Sequence, residues 1–311
     1  MNKIMSALKT GFVIALASAL FAFAAQTPRA MAEDSIGSAS PEPSRREITL
    51  KVMTINLRHH ADLWEERFPL IADEIVRLDP DIIGLQEVSI GMDQTAVLLS
   101  LIKQKSGGEQ GKTYNKYERL KTGFEAVSGE GISIYSRFPI VEKNFTDLKN
   151  GRVVVFTRIN VADGLDVDMY NTHLHHMGGD ETRLPQAKKI VAFEKRNSAG
   201  NIVFLTGDMN AKPESETIAA FTGAGFEDTY VLAHGETAED TGKTSSIRLE
   251  KGRDAADQNP KSRIDYVFVK QPDSGPAVKT IDSVVCFRNH NEEGLYPSDH
   301  LGVMTTFLIS Y

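Results

Sequence analysis

Hydrophobic positions along residues 48–309 recur at two spacings, which predict strands and helices in alternation. Segments rich in β-branched and aromatic residues and bounded by turn residues are typical of strands. They cover residues 48–56, 81–87, 131–136, 153–161, 165–173, 202–207, 264–269 and 301–309. Apolar residues three and four apart predict helices over residues 68–78, 95–102 and 184–193, and Ser215 is placed to cap a further short helix.

The link between segments 153–161 and 165–173 indicates how the strands are arranged. It consists of Ala162, Asp163 and Gly164, which is enough for an antiparallel turn but too short for the helical crossover that joins parallel strands. The pattern therefore predicts an α+β fold of packed sheets rather than a doubly wound parallel sheet.

The first 32 residues have the three-part layout of a secretory signal peptide. They contain basic residues and no acid, an apolar stretch over 11–25, and a small-x-small sequence at 30–32. The 15 apolar residues are fewer than the roughly 20 that a transmembrane helix needs, so an uncleaved anchor is the less favoured alternative. We predict cleavage after Ala32 and a periplasmic or secreted protein.

Residues 33–47 are rich in serine, proline and charge, which predicts a flexible linker. Residues 48–311 are then expected to form one catalytic domain. Cys286 is the only cysteine, so stability must come from a buried core rather than from disulfides, and a domain of this length can supply one.

Charge makes nucleic acid a less favoured partner. Without Lys3, Lys9 and Arg29 of the signal peptide, 32 basic and 42 acidic residues remain, a net charge of −10. Non-specific binding to polyanions relies on an excess of lysine and arginine. An enzyme needs only one local basic or metal-filled pocket, however, so nucleic acid stays among the alternatives. We expect a monomer with no stable membrane insertion after cleavage.

Acidic, amide and imidazole side chains recur where the predicted strands end. The apolar segments lead to Asn56, to Glu87, to His173, and to Asp208 with Asn210, and the last segment is preceded by Asp299 and His300. Taken singly, Glu87 and Asp208 are equally well explained as turn or cap residues. Asn56 alone is more often a turn residue, and His173 is more often a surface or core histidine. Strand ends meet at one rim of a sheet, so together these side chains predict a shared site.

Asp265 differs because it lies inside an apolar segment. Val267 and Val269 share its face, while Ile264 and Tyr266 lie on the other. Both faces are therefore apolar, which predicts an inner strand. A carboxylate there is costly unless a cation or an imidazole pairs with it.

The motifs, in this order, resemble those of the endonuclease/exonuclease/phosphatase superfamily, as found in secreted bacterial members. They are MTINLR at 53–58, PDIIGLQEV at 80–88, YSRFPI at 135–140, NTHL at 171–174, TGDMNAKP at 206–213, RIDYVFV at 263–269 and SDHLGV at 298–303. The resemblance spans nearly all of residues 48–309. It implies a four-layer α/β/β/α sandwich of two mostly antiparallel sheets flanked by helices.

The resemblance also implies a hydrolase of phosphoester bonds that depends on Mg²⁺, with Mn²⁺ as an alternative. Glu87 would be the principal ligand, with Asn56 and Asp299 completing the metal site directly or through water. His300, oriented by Asp265, would act as a base or contact the phosphate.

The remaining site residues would serve the attack on phosphorus. Asp208 would position or deprotonate the water that attacks in line. Asn210 would donate hydrogen bonds to the phosphoryl group, and His173 would contact the phosphate or assist the leaving group. The substrate stays open between a phosphodiester and a phosphomonoester. The alternatives are a secreted nuclease, a sphingomyelinase-like phospholipase or, less favoured, a non-catalytic binding module.

Three features bear on the substrate. Residues 234–261 match no recognition loop. The absence of disulfides argues against close kinship with secreted deoxyribonucleases and sphingomyelinases. Residues 64–67, Arg183 and Gln186 resemble those of bacterial members that act on small or sugar-linked phosphoesters, although helix packing explains them equally well.

Overall fold

The computed structural model describes residues 45–123, 129–198, 200–235, 242–252 and 258–311. The predicted signal peptide and most of the predicted linker lie outside this part of the chain. The strands are β1 (Glu47–Asn56), β2 (Ile82–Ser89), β3 (Asn115–Leu120), β4 (Glu130–Ser136), β5 (Ile140–Lys149), β6 (Arg152–Ala162), β7 (Leu165–His173), β8 (Ile202–Asp208), β9 (Glu227–Asp228), β10 (Asp265–Lys270), β11 (Ala277–Cys286) and β12 (Gly302–Ser310). The helices are α1 (Trp64–Leu78), α2 (Gln94–Lys105), α3 (Asp180–Asn197), α4 (Glu216–Thr222) and α5 (Thr229–His234).

The strands form two six-stranded sheets. Their spatial orders are β11-β12-β1-β2-β4-β3 and β5-β6-β7-β8-β10-β9. Neighbours are antiparallel except for one parallel pair in each sheet, β1 with β2 and β7 with β8. The antiparallel pairing of β6 with β7 across their short turn is as predicted, and the predicted sandwich of two mostly antiparallel sheets flanked by helices is confirmed.

The two faces of β1 are both apolar because each packs against a different apolar cluster. Leu50 and Val52 point into the core between the two sheets, whereas Met53 and Ile55 pack with apolar residues of α1 and α2. The second sheet is covered in the same way by α3 and α4. The inner strands are thus packed on both sides over much of their length. Within the described ranges, no helix is both long and apolar enough to cross a lipid bilayer.

The four strands that the sequence pattern missed are the four sheet edges, β3, β5, β9 and β11. Most residues of β3 and β5 are exposed or only half-buried. An edge strand with a solvated face carries polar residues at positions that would be apolar in an inner strand. Hydrophobic spacing therefore predicts the inner strands and overlooks the edges.

The first helix begins earlier than its apolar spacing predicts. It starts at Trp64 and not at residue 68, so Pro69 lies inside the helix and not in its first turn. The Trp64 ring packs edge-on against Phe68, with ring centroids 5.1 Å apart. Trp64 and the fully buried Arg67 therefore belong to the helix, at its amino-terminal end.

Gly84 lies on β2 where the two sheets approach closely, and it provides a test of that packing. A Cβ atom there would collide with the Thr206 hydroxyl and lie 2.8 Å from Asn171 Oδ1. We therefore expect Gly84→Ala to lower the free energy of unfolding by about 1–3 kcal/mol, the usual range for overpacking. Urea unfolding measures the change. Gly91→Ala is the control, because its Cβ would meet nothing nearer than 3.5 Å; equal stability of the two variants would contradict the close sheet contact.

Candidate active site

Strand register brings three of the predicted site residues into one row. His173 at the end of β7 lies opposite Asp208 at the end of β8, and Asp208 lies opposite Asp265 at the start of β10. In the other sheet, Asn56 lies opposite Gln86 on the parallel pair β1 and β2. Adjacent strands are only about 4.8 Å apart. Strand pairing alone therefore brings residues that are far apart in the sequence next to each other.

Asn56 joins the two sheets at the site. Its fully buried amide nitrogen lies 3.1 Å from both Glu87 Oε1 and Asp208 Oδ2 and donates to each. Its amide oxygen accepts a hydrogen bond of 2.9 Å from the backbone N–H of Arg58. In this orientation Asn56 positions two carboxylates, and its oxygen would reach an ion beside them only if the amide turned.

Glu87 projects from an irregularity in β2. The register with β4 shifts between Leu85 and Val88, and Glu87 has a φ of 49°, in the left-handed region that few residues with a Cβ adopt. Burial favours a raised pKa for Glu87, but Lys121, the Asn56 hydrogen bond and His300 outweigh it and lower the pKa. The irregularity in β2 therefore presents an ionised carboxylate to the site.

His300 is held by a buried carboxylate. Its Nδ1 lies 2.9 Å from Asp265 Oδ2, which also accepts a 2.6 Å hydrogen bond from the Thr244 hydroxyl. Burial alone would lower the pKa of His300, but Asp265 and then Asp208 raise it well above its usual value. The costly carboxylate of β10 thus has an imidazole partner, and the imidazole is fixed in orientation with Nε2 towards Asp208.

Asp208 lies between two imidazoles at the centre of the site. Its Oδ2 is 3.6 Å from His173 Nε2 and 3.8 Å from His300 Nε2. Its Oδ1 accepts a 2.9 Å hydrogen bond from the backbone N–H of Asn210. Burial, reinforced by the charge of Asp265 and opposed by His300, raises the pKa of Asp208 to about 7. A carboxyl group with this pKa is suited to accept a proton near neutral pH.

His173 is enclosed by groups that keep it neutral. Its Nε2 lies 3.1 Å from the Asn210 side-chain nitrogen, and its Nδ1 lies 3.2 Å from Lys121 Nζ. Burial lowers the pKa of His173 well below its usual value, and Lys121 and Arg152 act in the same direction. The two imidazoles of the site therefore differ: His300 favours the charged form and His173 the neutral one.

Asp299 lies on the Arg58 side of the site. Its Oδ2 is 3.4 Å from Arg58 Nη1. Burial raises its pKa, with the charge of Glu87 acting in the same direction and His300 and Arg58 opposing it. Buried Arg67 joins the segments beside Asn56 and Asp299, because its Nη1 donates hydrogen bonds to the backbone oxygens of both Leu57 and Pro297.

Two tight groups of ligand atoms are present in the described residues. Within each group these atoms lie within 4.8 Å of one another; the groups are Glu87 with Glu130 and His173, and Asp208 with Asp265 and His300. Asp299 belongs to neither group. The carboxylate oxygens of Glu87 and Asp299 and the amide oxygen of Asn56 are the donor types that Mg²⁺ prefers, so the residues present fit such an ion.

Four residues of the site were not predicted from the sequence. They are Arg58 beside Asp299, Thr244 on Asp265, and the ion pair of Lys121 with Glu130. Thr244 belongs to the segment 234–261 that matched no known loop. Its neighbour Ser245 forms an isolated bridge with His300, so part of this segment lies at the site. Of these four residues, only Arg58 could have been found from the sequence, because it ends the motif at 53–58.

Arg183 and Gln186 act on the backbone beside the site. Gln186 Oε1 accepts a 3.0 Å hydrogen bond from the N–H of His175, and Arg183 Nη1 donates to the oxygens of His175 and Gly178. Both residues hold the segment that follows His173. This placement agrees with the packing explanation of their motif.

Comparisons with known proteins agree with this fold. Residues 53–300 match the Endonuclease/Exonuclease/phosphatase family. A putative neutral sphingomyelinase of Caenorhabditis elegans is 27% identical over 266 residues, which cover 74% of this chain and 58% of that protein. Protein angel of Drosophila melanogaster is 25% identical over 182 residues, 54% of this chain and 50% of that protein. The chain thus spans about half the length of these relatives.

Solved structures show the same architecture. An endonuclease/exonuclease/phosphatase family protein from Bacteroides thetaiotaomicron has a TM-score of 0.65 and 22% identity, covering 85% of this chain and 98% of that one. A mannosyl-6-phosphatase from the same organism has a TM-score of 0.64 and 24% identity, covering 83% of this chain and 99% of that one. At these identities the likeness concerns the fold.

Proposed function

Because the chain belongs to the endonuclease/exonuclease/phosphatase family, whose members hydrolyse phosphoester bonds, we propose that it is an exported, Mg²⁺-dependent phosphodiesterase or phosphatase. The observation that carries this proposal is the arrangement around Asp208. One carboxylate oxygen lies 3.1 Å from the Asn56 amide that also binds Glu87, and within 3.8 Å of both His173 and His300. Two imidazoles and an amide therefore surround one buried carboxylate, and the amide links it to a second carboxylate.

The metal proposal rests on the oxygen donors. Glu87 and Asp299 would hold Mg²⁺ or Mn²⁺ through carboxylate oxygens, with Asn56 binding through a turned amide or through water. When bound, such an ion offsets the negative charge that builds on the phosphoryl oxygens.

The protein's own groups would divide the remaining work. Asp208 would orient the attacking water and accept its proton, a role for which a pKa of about 7 is suitable. His300, held by Asp265, would donate a hydrogen bond from Nε2 to a phosphoryl oxygen. The Asn210 amide would add a second donor beside it. Neutral His173 would contact the phosphate or the leaving group.

A substrate panel tests the proposal. The mature protein would be assayed with p-nitrophenyl phosphate, bis-p-nitrophenyl phosphate, plasmid DNA and sphingomyelin, each with Mg²⁺ or Mn²⁺. Sphingomyelin is included because of the 27% identical relative named as a putative neutral sphingomyelinase. We expect hydrolysis of at least one phosphoester that is lost on chelation. Activity that survives exhaustive chelation would refute metal dependence, and a folded protein inactive on every phosphoester would favour the binding-module alternative.

Export gives a separate prediction about the amino terminus. We expect the mature protein to begin at or near Glu33, because residues 30–32 form the best small-x-small sequence after the apolar stretch. Amino-terminal sequencing of the exported form measures this directly. An intact Met1, or a start before Ala25, would contradict it. We further propose that the mature protein is a monomer, which size-exclusion chromatography tests.

A further inference from the structure

Lys121 is a buried cation beside the proposed active site that no part of the mechanism above uses. It directly follows the edge strand β3, yet it is only 3% exposed. Its ammonium pairs with Glu130 and lies 3.2 Å from His173 Nδ1. Its charge also contributes to the low pKa of Glu87. A lysine is rarely buried so fully unless its charge is paired.

The groups around this ammonium form a set that could itself bind a divalent ion. Glu87, Glu130 and His173 each offer one ligand atom, and these atoms all lie within 4.8 Å of one another. Two carboxylates and one imidazole suit ions such as Mn²⁺. The ammonium contacts Glu130 and His173, two of these three groups, so it lies beside the position that an ion bound by all three would occupy.

We propose that the ammonium of Lys121 takes the place of a second metal ion, so that the enzyme operates with one divalent ion at Glu87 and one fixed cation at Glu130 and His173. This inference rests on the proposed function, since it assigns the first ion to Glu87. Two-metal hydrolases place their ions about 3.5–4 Å apart and share ligands between them. Here Glu87 would be the shared group, with a metal ion on one side and the ammonium on the other.

The arrangement has a chemical consequence for His173. A protonated amine donates a hydrogen bond to Nδ1 without binding it as a ligand, so the imidazole keeps Nε2 directed towards Asp208 and Asn210. Lys121 is in this sense a positioning residue. A simple structural ion pair between the end of β3 and the start of β4 would explain the Glu130 contact, but it would not require Glu87 and His173 to complete the set.

Metal stoichiometry distinguishes the two explanations. The mature wild-type protein and the variants Lys121→Met and Lys121→Gln would be dialysed against Mn²⁺, and bound Mn²⁺ would be counted by elemental analysis. Electron paramagnetic resonance would then detect coupling between neighbouring Mn²⁺ ions. We expect about one Mn²⁺ per wild-type chain, without coupling. We expect about two coupled Mn²⁺ per chain in either variant, because the vacated ligand set becomes available.

Three controls locate the second ion. Lys121→Arg keeps the cation and should bind one Mn²⁺. The double variant Lys121→Met, Glu130→Gln loses a ligand and should return to one. Lys270→Met removes a less buried lysine that likewise pairs with a buried glutamate, Glu194 at 3.0 Å, and that belongs to neither ligand group found in the described residues; it should also bind one.

The outcomes separate this inference from the proposed function. Wild-type protein that binds two coupled Mn²⁺ would overturn the inference alone, and this measurement does not depend on how any variant folds. A folded Lys121→Met variant that still binds one Mn²⁺ would also overturn it. Wild-type protein that binds no Mn²⁺ would overturn the metal site at Glu87 and, with it, the role of Lys121.

Discussion

Replacing Glu87 by glutamine is expected to lower turnover by about 10² or more and to weaken Mg²⁺ binding. A bound metal offsets several kcal/mol of charge in the transition state, and each ~1.4 kcal/mol corresponds to tenfold in rate. Glutamine keeps the length and shape of the side chain but removes the charge that the bulge in β2 presents to the site. Calorimetric titration with Mg²⁺ and a parallel hydrolysis assay measure the two effects.

The metal-free Glu87→Gln variant should remain folded but gain no stability. Burial disfavours the charge of Glu87, but Lys121, the Asn56 hydrogen bond and His300 favour it more strongly, so the pKa of Glu87 is lowered. Glu118→Gln is a matched control. Glu118 is a half-buried glutamate on β3, an edge strand of the same sheet, and it pairs with Lys116 at 3.2 Å. The control should bind Mg²⁺ and turn over normally. A Glu87→Gln variant that also did so would remove the basis of the metal assignment.

His300→Ala and Asp208→Ala are each expected to reduce turnover by about 10² or more, the scale for loss of a positioned acid-base group. The two side chains face each other, with His300 Nε2 3.8 Å from Asp208 Oδ2. Groups that act as one unit have effects that do not add. The double variant should therefore be little slower than the slower single variant.

Steady-state kinetics with circular dichroism as a folding check would test this expectation. His290→Ala serves as a control, because His290 is exposed, its Nδ1 lies 2.7 Å from the backbone oxygen of Asn291, and its ring packs against Tyr296 with centroids 5.3 Å apart. The control should leave turnover unchanged. Either active-site variant retaining near-normal turnover with metal present would show that the roles given to these residues are wrong.

The sequence by itself determined the inner strands and the α+β class of this protein, and its family resemblance implied the four layers. A strand packed on both sides needs a continuous apolar run, and this requirement is visible in the segments that became β2, β8 and β10. The short link after Ala162 likewise required antiparallel pairing. Edge strands such as β5 carry no such requirement, because water satisfies their open face. Only pairing with a neighbouring strand shows them to be strands.

The site residues likewise fall into those that the local sequence predicts and those that only the tertiary structure reveals. Asn56, Glu87, His173 and Asp208 were recognisable because a polar residue at the end of an apolar strand contrasts with its local sequence. Strand register then brings His173, Asp208 and Asp265 into one row, a consequence of hydrogen bonding between segments that local sequence does not encode.

Lys121, Glu130 and Thr244 had no such contrast, since each lies among polar residues beside a loop or an edge strand. Only the tertiary structure shows that Lys121 is buried against His173 and that Thr244 reaches Asp265. The direction of the Asn56 amide was decided in the same way. Its nitrogen faces two carboxylates because one lies in each sheet, and local sequence cannot reveal which groups the second sheet brings to meet it.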